Sequence, residues 1–142
     1  MPQLRTFVLS RAGFAGIQRY AANWMGDNQS RWDHLWLSVP MAMGLGLSGQ
    51  PFVGADIGGF AGNTTPELFL RWMQYGVLTP FCRNHSEIGN VDQYVWSFGD
   101  VIGQHVRAAV KLRGGMDQLS AERVAAELRR LLVAPQAKEA VE

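Results

Sequence analysis

The chain has 142 residues, thirteen of them Lys or Arg and twelve Asp or Glu, which leaves a formal charge of +1. That balance excludes the concentrated basic face that phosphate binding needs, so nucleic acid is not an expected partner. Five Trp, seven Phe and three Tyr suit core packing and the binding of uncharged ligands, and the length suits one ordinary domain.

Residues 6–9 form a short, partly β-branched run that closes on Ser10 and Arg11, which predicts a strand with a polar tip. A second strand is expected over residues 19–24, stopped by the turn formers Gly26, Asp27 and Asn28. Ser30 is placed to cap a helix in which Trp32, Leu35, Trp36, Val39, Met43 and Leu45 recur at helical spacing. Pro40 predicts a bend there, or two shorter helices. Residues 51–56 read as a buried strand closed by Asp56, with Gly58 and Gly59 giving a sharp loop. Thr65 is a suitable cap, Pro66 a suitable first residue and Glu67 a suitable early acid for a helix that runs to about Tyr75 and stops at Gly76.

The last strand is expected over residues 77–81, and a further helix over residues 96–112, before Gly114 and Gly115. Beyond them, Leu119, Val124, Leu128 and Leu131 are spaced for a separate amphipathic helix over residues 119–133, with frayed ends from 135 onward. This divides the chain into a unit over 1–113 and a linker with a C-terminal helix over 114–142. Alternating strands and helices imply an α/β class with parallel strands. A complete (β/α)8 barrel takes roughly 250 residues, so about four strands make a partial one whose edges need a partner or a rearrangement.

Several polar groups sit where strands end, as active-site residues do in barrel enzymes. Asp27 would project from a tight loop beside Trp24. Desolvation by such a ring raises a carboxyl pKa, as a general acid requires, although Asp27 and Asn28 read equally as a plain turn. Asp56 ends an apolar strand, where it can meet a ligand or bond loop N–H groups. Arg83, Asn84 and His85 gather hydrogen-bonding side chains at another strand end, and Arg11 could anchor a carboxylate or a sugar hydroxyl. No close pair of His or Cys has metal-ligand spacing, and residues 54–59 lack the Lys of a phosphate loop, so no metal or cofactor is expected. Cys82 is the only cysteine, which excludes an intrachain disulfide and points to a cytoplasmic setting. Residues 1–5 lack a signal-peptide core and no apolar run spans a bilayer, so no membrane partner is expected.

The segments FVLSRAGFAGIQRYAANWMGDN and LSGQPFVGADIGGFAGNTTPELFLRWMQYGVLTPFCRNHS, in this order, resemble the second half of the catalytic barrel of glycoside hydrolase family 31. That family contains many α-glucosidases and α-xylosidases. The resemblance implies that Asp27 is the general acid/base of a retaining glycosidase acting on terminal α-linked sugars. It implies that Arg11 and His85 hold the sugar, that Trp24, Asp56 and Phe60 line the pocket, and that Arg83 supports His85. Retaining enzymes pair the acid/base with a nucleophile about 5–5.5 Å away. In the family this is an Asp in a Trp-x-Asp-Met-Asn-Glu-like run, and the 142 residues contain no such run. The implied partners are an α-glucoside or related oligosaccharide and a chain that supplies the missing half-barrel. A non-catalytic sugar-binding half-barrel is the alternative.

Overall fold

Strand pairing fixes where everything else sits. The computed structural model describes residues 6–115 and position 126; apart from that position, the expected tail helix lies outside the described residues. Five short strands are β1 (Leu9–Ser10), β2 (Ala22–Trp24), β3 (Val53–Gly54), β4 (Asp56–Ile57) and β5 (Arg83–Asn84). Three helices are α1 (Trp32–Leu47), α2 (Pro66–Gly76) and α3 (Gly99–Gly115). All pairing is parallel: Leu9 opposite Ala22, Asn23 opposite Val53, and Asp56 opposite Arg83. Only Ala55 separates β3 from β4, so one extended segment pairs first with β2 and then with β5. Four consecutive parallel ranks result.

The core lies between this array and its helices. Ile57 of β4 shares one buried cluster with Phe69, Trp72 and Met73 of α2 and Val106, Ala109 and Leu112 of α3. The spacing of the last three puts them on one helical face. Thr65 caps α2 by accepting from the Leu68 N–H at 3.3 Å, with Pro66 at the first helical position. This is the expected start, because a hydroxyl satisfies an N–H that the helix cannot.

Other boundaries differ from the sequence reading. Residues 17–19 wind a 3-10 turn, so β2 begins only at Ala22, whose N–H reaches the Val8 carbonyl. Residues 6–8 then have no opposite strand, and β1 starts at Leu9. Helix α1 runs unbroken through Pro40. The carbonyl deprived of a partner is that of Trp36, a residue on the open side of the helix at 72% exposure. Ser30 does not cap α1; its hydroxyl donates to the Gly62 carbonyl at 2.7 Å, and Arg31 takes the cap position without a side-chain bond. The Tyr75 hydroxyl, kept protonated by burial that pushes its pKa up to about 12, donates to the Ser38 carbonyl at 2.9 Å and ties α1 to α2.

The strand expected over 77–81 is a turn, and β5 lies at Arg83–Asn84 instead. Arg113 explains the shift, because its guanidinium takes the carbonyls of Val77, Thr79 and Pro80 at 3.0, 2.6 and 3.0 Å. The N–H groups of Val77, Leu78 and Thr79 are held by Met73, Tyr75 and Gly76. These groups are therefore withdrawn from a ladder. Similarly, Ser97 N–H bonds Tyr94 in a turn, which delays α3 until Gly99, and the helix runs on through Gly114 and Gly115.

Gly76 closes α2 because nothing larger fits against the strand. A Cβ there would lie 2.6 Å from Ile57 Cδ1 and 2.9 Å from its Cγ1, and Ile57 is only 1% exposed. Gly76→Ala is therefore expected to cost about 1–3 kcal/mol through overpacking, despite alanine's better helix propensity. A urea midpoint equal to or above that of the parent would contradict this packing.

Candidate active site

Arg11, Trp24, Asp27, Asp56, Phe60, Arg83 and His85 all lie on or just beyond the C-terminal ends of the parallel strands. Pairing in register brings them together, since Trp24 stands beside Gly54, and Asp56 beside Arg83. Arg11 Nη2 meets Asp27 Oδ2 at 3.1 Å, with 62% and 38% of the two side chains exposed. Such an open ion pair contributes about 0–1 kcal/mol, so a ligand can displace it at little cost. The Arg11 and Arg83 guanidinium groups both lie over the Trp24 ring, at 5.5 and 5.3 Å. Trp24 thus borders two cations as well as preceding the Asp27 loop. Cation–π contacts of this kind orient planar guanidinium groups.

Asp56 is entirely buried. Its Oδ1 accepts from Arg83 Nε at 3.2 Å and Nη2 at 2.5 Å. Burial pushes this carboxyl above its ordinary value; Arg83, His85 and Trp24 pull the other way and do not cancel it. Asp56 Oδ2 and Trp24 Nε1 are both buried without a hydrogen-bond partner. In this chain Asp56 therefore acts through Arg83 and Trp24 and presents no surface of its own to solvent. His85 is exposed and stacks on Phe60, with ring centroids 5.2 Å apart and planes 28° from parallel. Imidazole N–H and nitrogen groups supported on a ring can bond a hydroxyl-rich ligand.

Asn28 was not singled out from sequence as a site residue, yet it joins both halves of the cluster. Its Nδ2 donates to the Asp56 carbonyl at 2.9 Å and its Oδ1 accepts from Phe60 N–H at 3.0 Å. Its own carbonyl also accepts from Phe60 and Ala61. A side chain adjacent to Asp27 thereby fixes the acid loop against the Asp56–Phe60 loop. The adjacency was a usable signal, since Asn beside Asp in a tight loop often bonds backbone. Gln93 gave no local signal; its Nε2 reaches the Gly59 carbonyl at 3.0 Å from 34 residues away. Gly59 itself has φ +95°, and a Cβ there would come within 2.4 Å of the Ser30 nitrogen, so only glycine fits that turn.

Cys82 is half-buried, and burial pushes its thiol up against the opposing pull of Arg113, which disfavours a reactive thiolate. Among the described residues, no group of three His, Cys, Asp or Glu side chains could hold a metal ion. No helix among them is long and apolar enough to cross a membrane.

Residues 1–116 match the family model described as the glycosyl hydrolases family 31 TIM-barrel domain. Alpha-glucosidase 2 of Bacillus thermoamyloliquefaciens is 55% identical over 109 residues, covering 77% of this chain and 14% of that protein. A probable glucan 1,3-alpha-glucosidase of Oryza sativa subsp. japonica is 50% identical over the same length, 12% of that protein. The chain thus spans only about an eighth of the curated relatives it matches. Among solved structures, the family 31 alpha-glucosidase of Bacteroides thetaiotaomicron superposes with a TM-score of 0.72 at 50% identity, over 75% of this chain and 18% of that one. The glucosidase II alpha subunit superposes with a TM-score of 0.75 at 44% identity, over 77% of this chain and 12% of that one. Sequence motifs, parallel strands and all three comparisons agree: the chain belongs to glycoside hydrolase family 31, and its described part is a piece of that family's TIM barrel.

Proposed function

We propose that this chain supplies the acid/base half of a retaining α-glucosidase-like site acting on terminal α-linked sugars. The observation that carries the reading is that an exposed Arg11–Asp27 pair and a Phe60–His85 stack both stand at the same end of the parallel strands. Asp27 protonates the departing glycosidic oxygen and then activates water, while Arg11 and His85 hold hydroxyls of the sugar. Trp24 and Phe60 supply apolar faces, and Asp56 holds Arg83 in place, which in turn supports His85. The 142 residues bring about the second half of the barrel and no Trp-x-Asp-Met-Asn-Glu-like run, so hydrolysis requires a nucleophile from outside them. The chain by itself binds sugar without turnover.

A second reading, a sugar-binding half-barrel active only with a partner chain, draws on the exposed rings of Phe7 and Phe52 at the opposite strand ends. Both readings place the protein in a reducing cytoplasm, in keeping with its single, half-buried thiol. They share a test of binding. Ligand-observed NMR with methyl α-glucoside is expected to show weak binding, reduced at least about tenfold, roughly 1.4 kcal/mol, by Arg11→Ala or His85→Ala. Equal signals from parent and variants would remove the sugar site.

A further inference from the structure

The Phe60–His85 stack lies beyond the part of the sheet that strand pairing holds. The β4–β5 ladder ends at Ile57 opposite Asn84, three residues before Phe60 and one before His85. What fixes the stack is the backbone of Phe60. Its N–H donates to Asn28 Oδ1 at 3.0 Å and to the Asn28 carbonyl at 2.9 Å. Its carbonyl accepts from the Glu87 N–H at 2.9 Å and from Asn90 Nδ2 at 2.8 Å. We infer that Asn90 is a positioning residue for the sugar site: by bonding the Phe60 carbonyl it holds the Phe60 ring against the imidazole of His85, and so aims His85 at the sugar hydroxyls.

A turn lets two residues of one short loop reach the same oxygen. Asn90 N–H closes it on the Glu87 carbonyl at 3.3 Å, with Gly89 at φ +94° in the third position, a conformation that favours glycine. The chain reversal brings the Asn90 side chain back to the carbonyl that the Glu87 N–H already meets. That oxygen has two lone pairs, so it accepts both donors. Neighbouring bonds extend the seam: Val91 N–H donates to Asn63 Oδ1 at 2.8 Å, and Gln93 Nε2 to the Gly59 carbonyl at 3.0 Å. The loop after β5, which carries His85, thus grips the loop after β4, which carries Phe60. Asn28 anchors the other side of the Phe60 backbone to the acid loop, so the Phe60 backbone joins the loops of Asp27 and His85. Within the His85 loop, Asn90 supplies the side-chain donor to Phe60, which a substitution can remove while the Glu87 backbone bond stays. Its effect passes through Phe60 and His85, and its role in sugar binding rests on the proposed sugar site.

Proton NMR of the histidine rings in the full chain tests this, together with titration by methyl α-glucoside. The chain has three His, so the His85 signals are identified by their loss in His85→Ala, and their unstacked position is read from Phe60→Leu. Asn90→Asp keeps the shape of the side chain but has no N–H to donate, and Asn90→Ala removes the group. Both are expected to move the His85 ring signals most of the way from their parent position, set by the ring current of Phe60, toward that in Phe60→Leu. Both should also weaken methyl α-glucoside binding about threefold or more, the scale of one hydrogen bond. The His34 and His105 signals and the amide exchange of α2 should stay at parent values. Unchanged His85 signals in both Asn90 variants would overturn the positioning role. So would movement of all three histidines with faster exchange in α2, which would make Asn90 a general support of the fold. Moved His85 signals with unchanged sugar affinity would overturn the link to the sugar. A parent that binds no methyl α-glucoside, with His85 signals that move as expected, would instead overturn the proposed sugar site and leave Asn90 as the hold on the stack.

Discussion

An Arg83→Met chain is expected to lose about 3–5 kcal/mol of stability at neutral pH, the usual result of leaving a buried ion without its partner. Asp56 has no exposed surface, and both of its hydrogen bonds from side chains come from Arg83. Its Oδ2 lacks a partner at hydrogen-bond geometry, and the one further side-chain donor that favours its charge, Trp24, is neutral and cannot replace a guanidinium. The loss should depend on pH. The folded-state pKa of Asp56 is raised, so its burial favours folding fully below the ordinary carboxylate range, and that contribution is lost as pH rises through the raised value. Removing Arg83 removes an opposing pull and raises the value further. Urea unfolding of parent and Arg83→Met should therefore show a wide gap at neutral pH that narrows toward acid. A gap below about 1 kcal/mol at neutral pH, or one that widens in acid, would contradict the role given to Arg83.

Once the barrel is completed by a segment that carries the nucleophile, Asp27→Asn is expected to lower turnover about 10²–10⁴-fold. The size of the loss should follow the leaving group. A nitrophenolate departs without a proton, so its bond cleavage is least affected, whereas an alkyl or sugar alkoxide needs protonation from Asp27 in the transition state. Unlike Arg83→Met, this substitution should leave stability nearly unchanged, since the Arg11–Asp27 pair is largely exposed and contributes about 0–1 kcal/mol. Equal losses across leaving groups, or a collapse of folding, would count against proton donation by Asp27.

The placement of the candidate residues at one rim was readable before the fold. Arg11, Asp27, Asp56 and His85 lie at strand ends because parallel strands place their last residues on one rim, and apolar runs closed by polar residues reveal that pattern in one dimension. Thr65, Pro66 and Glu67 announced α2 for equally local reasons. What stayed hidden depended on distant partners. The displacement of β5 from residues 77–81 comes from Arg113, more than thirty residues along the chain. The continuity of α1 through Pro40 falls where the preceding turn, at Trp36, is on the exposed side of the helix. Asp56 reads as a strand-closing carboxylate open to ligand, whereas three-dimensional packing buries it completely beneath Arg83 and Trp24. Local chemistry indicated which residue types gather at this rim; packing decided which of them face solvent.

Release of aryl alcohol from an aryl α-glucoside, measured for the purified chain alone and after mixing with a family 31 segment bearing the Trp-x-Asp-Met-Asn-Glu-like run, tests the central claim most directly. The expected result is no release by the chain alone, release by the mixture, and loss of that release with Asp27→Asn when the leaving group is poor. Hydrolysis by the chain alone, abolished by Asp27→Asn, would show that the 142 residues hold a complete site and would contradict the requirement for an outside nucleophile. With a poor leaving group, release by the mixture that is undiminished by Asp27→Asn would contradict the assignment of the acid/base.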